Sequence, residues 1–273
     1  MRHDQVGMMF FTALAVAVSI GGTRYAVGQS RDTESITRPV VSENTSPLEL
    51  IAPVAKDGHR GTGVLRRPPG AGSFPALVWI HGGLATRPEA ELRDYARSSN
   101  PSRFLAAGYL VAVITYRSRD EDPQSSVSLE DSLAAVDHVR RLPYVDPRSV
   151  VIFGCSGGGD LALEIAAATD IAAIAPEEPA TMLFTGLFNR ELPKKGARYE
   201  PGDGAGRADD PRAYTPKYQE RTREKIRRIR SPILIVQGDP ASRLNQFNAT
   251  VFIPELRTAG KSVEVRTYPG EPH

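Results

Sequence analysis

The chain has 273 residues, with 34 lysines and arginines against 32 aspartates and glutamates, a formal net charge of +2. So even a balance leaves no electrostatic footprint for nucleic acid or for an acidic partner. With 40% hydrophobic residues, dispersed charge, and no internal repeat or long low-complexity tract, the composition is that of an ordinary globular enzyme of one large domain or two small ones.

At the N-terminus, Arg2 and His3 precede an uncharged run from Met8 to Gly22. Its length suits a signal h-region and falls short of the ~20 apolar residues that a membrane span needs. Ala26-Val27-Gly28 supplies the small residues that a signal peptidase reads. Residues 1–28 are therefore expected to be a signal peptide of an exported protein, with an uncleaved N-terminal anchor as the alternative. No second apolar stretch of that length follows, so no stable membrane insertion is expected after cleavage. Cys155 is the only cysteine, which rules out an intramolecular disulfide.

Residues 29–50 form a polar lead-in, with one edge strand expected before residue 60, and residues 51–273 form the domain. Gly63 to Arg67 reads as a strand closed by Pro68-Pro69-Gly70. Ala76 to Ile80 and Gly108 to Tyr116 are continuous apolar runs, hence strands buried on both faces. Between them, Glu89 to Ala106 is helical with a break near Asn100-Pro101. Ser128 to Leu142 is a helix whose Leu133, Val136, Val139 and Leu142 share an apolar face, and Ser128 with Asp131 forms a capping pair. Asp146-Pro147 turns the chain into the strand Ser149 to Phe153.

That strand leads into Gly154-Cys155-Ser156-Gly157-Gly158, which fits G-x-S-x-G, and a helix from Gly159 to Ala168 follows. Serine at the tip of a strand–turn–helix is the nucleophile elbow, and its neighbours must lack bulk for the helix to pack close. Cys155, the alternative nucleophile, is expected to point into the core as a small apolar group. Further strands are expected at 171–175, 232–237 and 262–268. A helix from Val251 to Ala259 ends on Gly260. Residues 179–230 interrupt the alternation and are expected to form a cap over the active site. Within them, the basic run Arg221 to Arg230 is read as a solvated helix face, with Ile226 and Ile229 turned to the core. Strands alternating with helices imply an α/β fold, a mostly parallel sheet covered on both faces.

A serine hydroxyl needs a base to take its proton, and histidine suits neutral pH. Of five histidines, only His273 follows Ser156, in the loop after the last strand where this architecture places the base. His81-Gly82-Gly83 follows a buried strand, where the backbone can offer N–H groups to a developing oxyanion. One donor is expected near Gly82, Gly83 or Leu84 and the other at Gly157, with His81 holding the loop. The acid is expected after the strand 232–237, where Asp239 is the carboxylate present; Glu177 and Glu178, past the strand 171–175, are the alternatives. No metal or organic cofactor is implied.

Together His81-Gly82-Gly83, Val113 to Arg117, Leu142 to Arg148, the elbow and Tyr268 to His273 resemble the α/β-hydrolase superfamily, within it the dienelactone hydrolase and prolyl oligopeptidase (S9) catalytic-domain group. The resemblance implies an α/β-hydrolase fold over roughly residues 50–273 and a Ser-His-Asp triad. The chain departs from the pattern after strand 232–237, where Gln237 replaces a histidine and Ala241 stands at the acid's usual place. The expectation is a serine hydrolase cleaving carboxylic esters through an acyl-enzyme, with a small-molecule ester or short peptide as partner. The alternatives are an S9-like peptidase on short peptides and a non-catalytic binding protein of the same fold.

Overall fold

The apolar runs become the strands of one sheet. The computed structural model describes residues 46–123, 125–188, 211–239 and 242–271. The expected signal segment and His273 lie outside those residues. β1 (Leu48–Ile51) and β2 (Gly63–Arg66) form an antiparallel edge. β3 (Phe74–Ile80), β4 (Leu110–Ile114), β5 (Val145–Cys155), β6 (Ala173–Glu177), β7 (Ile233–Gln237) and β8 (Val263–Thr267) run parallel. The order is β1-β2-β4-β3-β5-β6-β7-β8.

Alternation along these strands feeds two cores. Ala76, Val78 and Ile80 of β3 pack beneath α3 (Val127–Arg140), α4 (Gly157–Ala168), α6 (Pro216–Arg228) and α8 (Ile253–Thr258). Leu77 and Trp79 face the other way, toward α1 (Glu89–Arg97) and α2 (Ser99–Ala106). A third cluster joins Met182, Leu183 and Leu187, in and after the short α5 (Thr181–Phe184), to Tyr214 and to Phe247 at the end of α7 (Arg243–Phe247). Of the expected cap, residues 189–210 lie outside the described residues. α6 belongs to the layer on the sheet: Ile226 and Ile229 enter the main core while Arg223, Arg227 and Arg228 face solvent.

Several expectations need correction. The break between α1 and α2 falls at Ser98, which is extended, and Pro101 sits in the first turn of α2, where its missing N–H costs nothing. Ser128 and Asp131 do not cap α3. Ser128 Oγ donates to the Arg117 carbonyl, and the Asp131 carboxylate accepts the Arg117 amide at 2.8 Å and its guanidinium. β5 begins at Val145, and its pairing with β3 jumps from Phe74↔Val145 to Ala76↔Val150. The expected turn is the irregularity between, where Asp146 Oδ1 accepts from the Arg148 amide. β6 spans Ala173–Glu177 instead of 171–175; it continues through Pro176, which has no N–H, and its pairing with β7 skips from Ile174 to Glu177. α7 was not foreseen, and a wide turn over Asn248–Phe252 joins it to α8. Gly260 closes α8 as expected, at φ 67°.

On the α4–α6 contact, Lys225 Nζ donates to the Phe184 carbonyl at 2.9 Å and pairs with the Glu164 carboxylate. Burial pushes Glu164 up to about 7, reinforced by Asp160 and opposed by Lys225. A carboxyl that holds its proton more tightly folded than unfolded loses stability as pH rises through that interval. The unfolding free energy of wild type minus that of Glu164→Gln, from urea titrations, is therefore expected to fall between pH 4.5 and about 7. A difference that stays flat or rises would count against this environment.

Candidate active site

The chain passes from β3 to β4 on one side and then to β5 on the other side of β3. The loops after β3 and β5 therefore diverge, and the crevice at the carboxyl ends of such strands is where open α/β sheets bind ligands. Both sequence motifs lie there. His81-Gly82-Gly83 leaves β3, and Ser156 stands between β5 and α4.

Ser156 has φ 51° and ψ −111°, one of two non-glycine residues with positive φ among those described. Its amide donates to the Glu177 carbonyl at 2.8 Å, and its carbonyl accepts from Ala180 at 3.0 Å and Asp160 at 3.1 Å. The turn closes because its neighbours lack a Cβ. One on Gly158 would lie 2.4 Å from the His81 carbonyl oxygen, and one on Gly157 would lie 2.2 Å from that of Gly83. Ser156 thus caps α4, with the amides of Gly157 to Gly159 preceding the first intrahelical bond. Free N–H groups and the positive end of the helix dipole meet at the serine.

The β3 loop is fixed from behind. Each peptide plane is rigid, so holding a carbonyl aims the next N–H. His81 Nδ1 donates to the Gly82 carbonyl at 2.9 Å, which sets the Gly83 N–H. Tyr116 Oη donates to the Gly83 carbonyl at 2.7 Å, which sets the Leu84 N–H. His81 Nε2 takes the Thr115 hydroxyl at 2.9 Å, and the ring stacks on Tyr116. With both ring nitrogens engaged and burial holding its pKa below the usual histidine range, His81 is a neutral strut.

Cys155 packs against the sheet core, where burial and the adjacent Glu177 carboxylate push its thiol well above the usual range. A thiol so placed is not a nucleophile. Glu178, the other positive-φ residue at 41°, is 6% exposed. Its Oε1 accepts from the Gly238 amide at 2.7 Å and from Asn245 Nδ2 at 3.0 Å. Asp239 is half-buried, and its amide donates to the Glu271 carbonyl at 2.8 Å. The structure so brings Ser156, Gly82, Gly83, Gly157, Glu177, Glu178 and Asp239 to the same edge of the sheet; His273 lies outside the described residues. Among the described residues, no cluster of histidine, cysteine and carboxylates has a metal-holding arrangement.

The sequence reading missed the charged support beneath the elbow. Arg119 Nη2 donates to the Gly157 carbonyl at 3.0 Å and to Asp160 Oδ2 at 2.9 Å, with both side chains buried. The Arg119 amide donates to the Leu84 carbonyl at 3.0 Å, so this one residue ties the β3 loop to the elbow. Burial pushes the Asp160 carboxyl up and Arg119 opposes it. An aspartate opening a helix as apolar as Leu161-Ala162-Leu163 was the available signal, since a buried charge demands a partner. Removing one member of such a pair costs about 3–5 kcal/mol, while an apolar replacement of both is close to neutral. Arg119→Met is therefore expected to lower the urea midpoint sharply and Arg119→Met/Asp160→Leu to recover most of it. Equal stability of single variant and wild type would contradict a working pair.

Comparison with known proteins agrees with this architecture. A family model for the prolyl oligopeptidase family (peptidase S9) matches residues 96–273. The quorum-quenching protein AidA of Acinetobacter baumannii (strain MDR-ZJ06) is 34% identical over 129 residues, 44% of this chain and 40% of that protein. Acylamino-acid-releasing enzyme 2 of Oryza sativa subsp. japonica is 24% identical over 216 residues, 73% of this chain and 27% of that enzyme. The matched stretches thus span less than half the length of either relative. Brefeldin A esterase, a bacterial homologue of human hormone sensitive lipase, superposes with a TM-score of 0.61 at 22% identity, covering 96% of this chain and 78% of its own. With an α/β-hydrolase sheet and a family match over residues 96–273, the chain belongs to the prolyl oligopeptidase family.

Proposed function

We propose that this chain is an exported serine esterase that cleaves carboxylic esters of small molecules through an acyl-enzyme. The observation that carries the reading is Ser156, held at φ 51° at the head of α4 and opposite the His81-Gly82-Gly83 loop. Ser156 Oγ attacks the ester carbonyl carbon while its proton passes to a histidine. The carbonyl electron pair moves onto oxygen, which receives the N–H groups of Gly157 and of the Gly83 region. Collapse breaks the bond to the alcohol, which leaves with the histidine's proton, and water then reverses the sequence to free the acid.

His273 is the proposed base. Supporting it, the Tyr268 amide donates to the Gln237 carbonyl at 2.9 Å and Asp239 holds the Glu271 carbonyl at 2.8 Å. The chain after β8 therefore crosses the tip of β7 two residues before His273. The carboxylate partner comes from the tips of β6 and β7, where Glu178 and Asp239 stand. Export rests on the apolar run Met8 to Gly22 and the small residues at 26–28.

The His-Gly-Gly loop is the oxyanion motif of lipases and esterases and favours an ester. Family membership supports a second reading, a peptidase on short peptides, which uses the same chemistry. Initial rates on p-nitrophenyl acetate and on an alanyl-prolyl p-nitroanilide separate them. We expect the higher kcat/KM on the ester, and a loss of at least about 10⁴-fold in Ser156→Ala. A higher kcat/KM on the prolyl amide would favour the peptidase, and a Ser156→Ala variant as fast as wild type would sink both.

A further inference from the structure

We propose that Tyr116, buried just past the end of β4, is a positioning residue of the oxyanion hole. Its hydroxyl holds the Gly83–Leu84 peptide in the orientation that the transition state needs; this rests on the esterase reading above.

The sheet register brings the end of β4 against the β3 loop. Ile80 pairs with Ile114 in the parallel ladder, so His81 and Thr115 leave their strands side by side. The Thr115 amide donates to the Thr62 carbonyl at 3.2 Å, which anchors this end of β4 to the segment before β2. From there four groups reach across. The Thr115 hydroxyl donates to His81 Nε2 at 2.9 Å and accepts from the Arg87 amide at 2.8 Å. Tyr116 Oη donates to the Gly83 carbonyl at 2.7 Å, and the Arg119 amide donates to the Leu84 carbonyl at 3.0 Å. Five consecutive residues thus grip the loop at its start, its middle and its end.

The middle contact is the one that bears on the chemistry. Gly83 is exposed, has φ 83° and carries no side chain, so the loop itself offers little resistance to a turn of its peptide. Its carbonyl oxygen also lies against the other half of the hole, since a Cβ on Gly157 would stand 2.2 Å from it. A turn of the Gly83–Leu84 peptide therefore swings the Leu84 N–H away and shifts the loop against Gly157 together. Tyr116 can prevent this because it is itself fixed. It is 2% exposed, sits in the main core and stacks on the His81 ring at 4.6 Å. Its single proton goes to the Gly83 carbonyl, as the His81 carbonyl is farther, at 3.4 Å. Burial pushes the hydroxyl well above the usual phenol range, so the donor keeps its proton wherever the protein works. Without that donor the Gly83 carbonyl would lose a partner in a place water does not easily reach.

The test uses Tyr116→Phe in the full chain, which keeps the ring and its stack on His81 and removes only the hydroxyl. Turnover of p-nitrophenyl acetate by wild type, and its loss in Ser156→Ala, establish the hydrolase reading independently of Tyr116. Losing an oxyanion donor outright costs about 10²–10³-fold in kcat. A donor that is kept but free to turn costs less, so Tyr116→Phe is expected to lose about 10–10²-fold in kcat with KM within a few-fold of wild type. The same variant is titrated with an alkyl trifluoromethyl ketone, which adds the serine to form a tetrahedral oxyanion, and with the matching secondary alcohol, which cannot. The ketone is expected to weaken by about the factor lost in kcat and the alcohol to bind as before, because only the adduct calls on the aimed N–H groups. Should Tyr116→Phe not fold, Thr115→Val, which frees the His81 ring and loosens the same loop from its start, is read in the same way. A kcat within about two-fold of wild type, or ketone and alcohol weakened equally, would overturn the proposal.

Discussion

Ser156 holds a backbone conformation that a serine avoids, and the surrounding packing exists to keep it there. The strain is about 1–3 kcal/mol. Three backbone hydrogen bonds, to Glu177, Ala180 and Asp160, fix both sides of the residue. Relaxation is blocked sterically, because Gly158 lies under the Ile80 and His81 carbonyls at distances that no Cβ tolerates. The strained serine, the end of β3 and the end of β6 therefore form a single unit. Displacing any one of them releases the other two.

The same unit explains the charges buried beneath the elbow. The Gly157 carbonyl and the head of α4 need a donor that water cannot supply, and Arg119 supplies it while Asp160 balances the charge. Glu164 and Lys225 continue this chain of charges toward α6. Buried ions are a poor source of stability. Their use here is geometric: Arg119 reaches the β3 loop through its amide and the elbow through its guanidinium. Together with the His81, Thr115 and Tyr116 contacts, this aims the loop N–H groups without help from the substrate. Preorganised donors of that kind lower the barrier because nothing has to turn during the reaction.

Much of the fold was legible in the sequence because buried parallel strands must be apolar runs and a nucleophile elbow must be rich in glycine. Boundaries failed where a local signal was overruled by long-range contacts. The strand expected over 171–175 instead runs on through Pro176, skipping ladder partners on β7. That two-residue extension is what carries Glu177 and Glu178 to the crevice. Ser128 and Asp131 looked like a cap, yet both serve Arg117, eleven and fourteen residues earlier. Nothing in a linear pattern announces that a serine and an aspartate near the start of a helix will be claimed by a distant arginine. Glu178 was visible as an alternative acid only by position; its burial, its two donors and its φ of 41° belong to the folded chain.

Every step of the proposed reaction depends on Ser156 as the nucleophile. The most direct measurement is to react the full chain with a fluorophosphonate and map the adduct by peptide mass spectrometry. A single phosphonyl group on Ser156, with Cys155 unmodified, is the predicted result. An unlabelled chain, or an adduct on another residue with Ser156 intact, would contradict it.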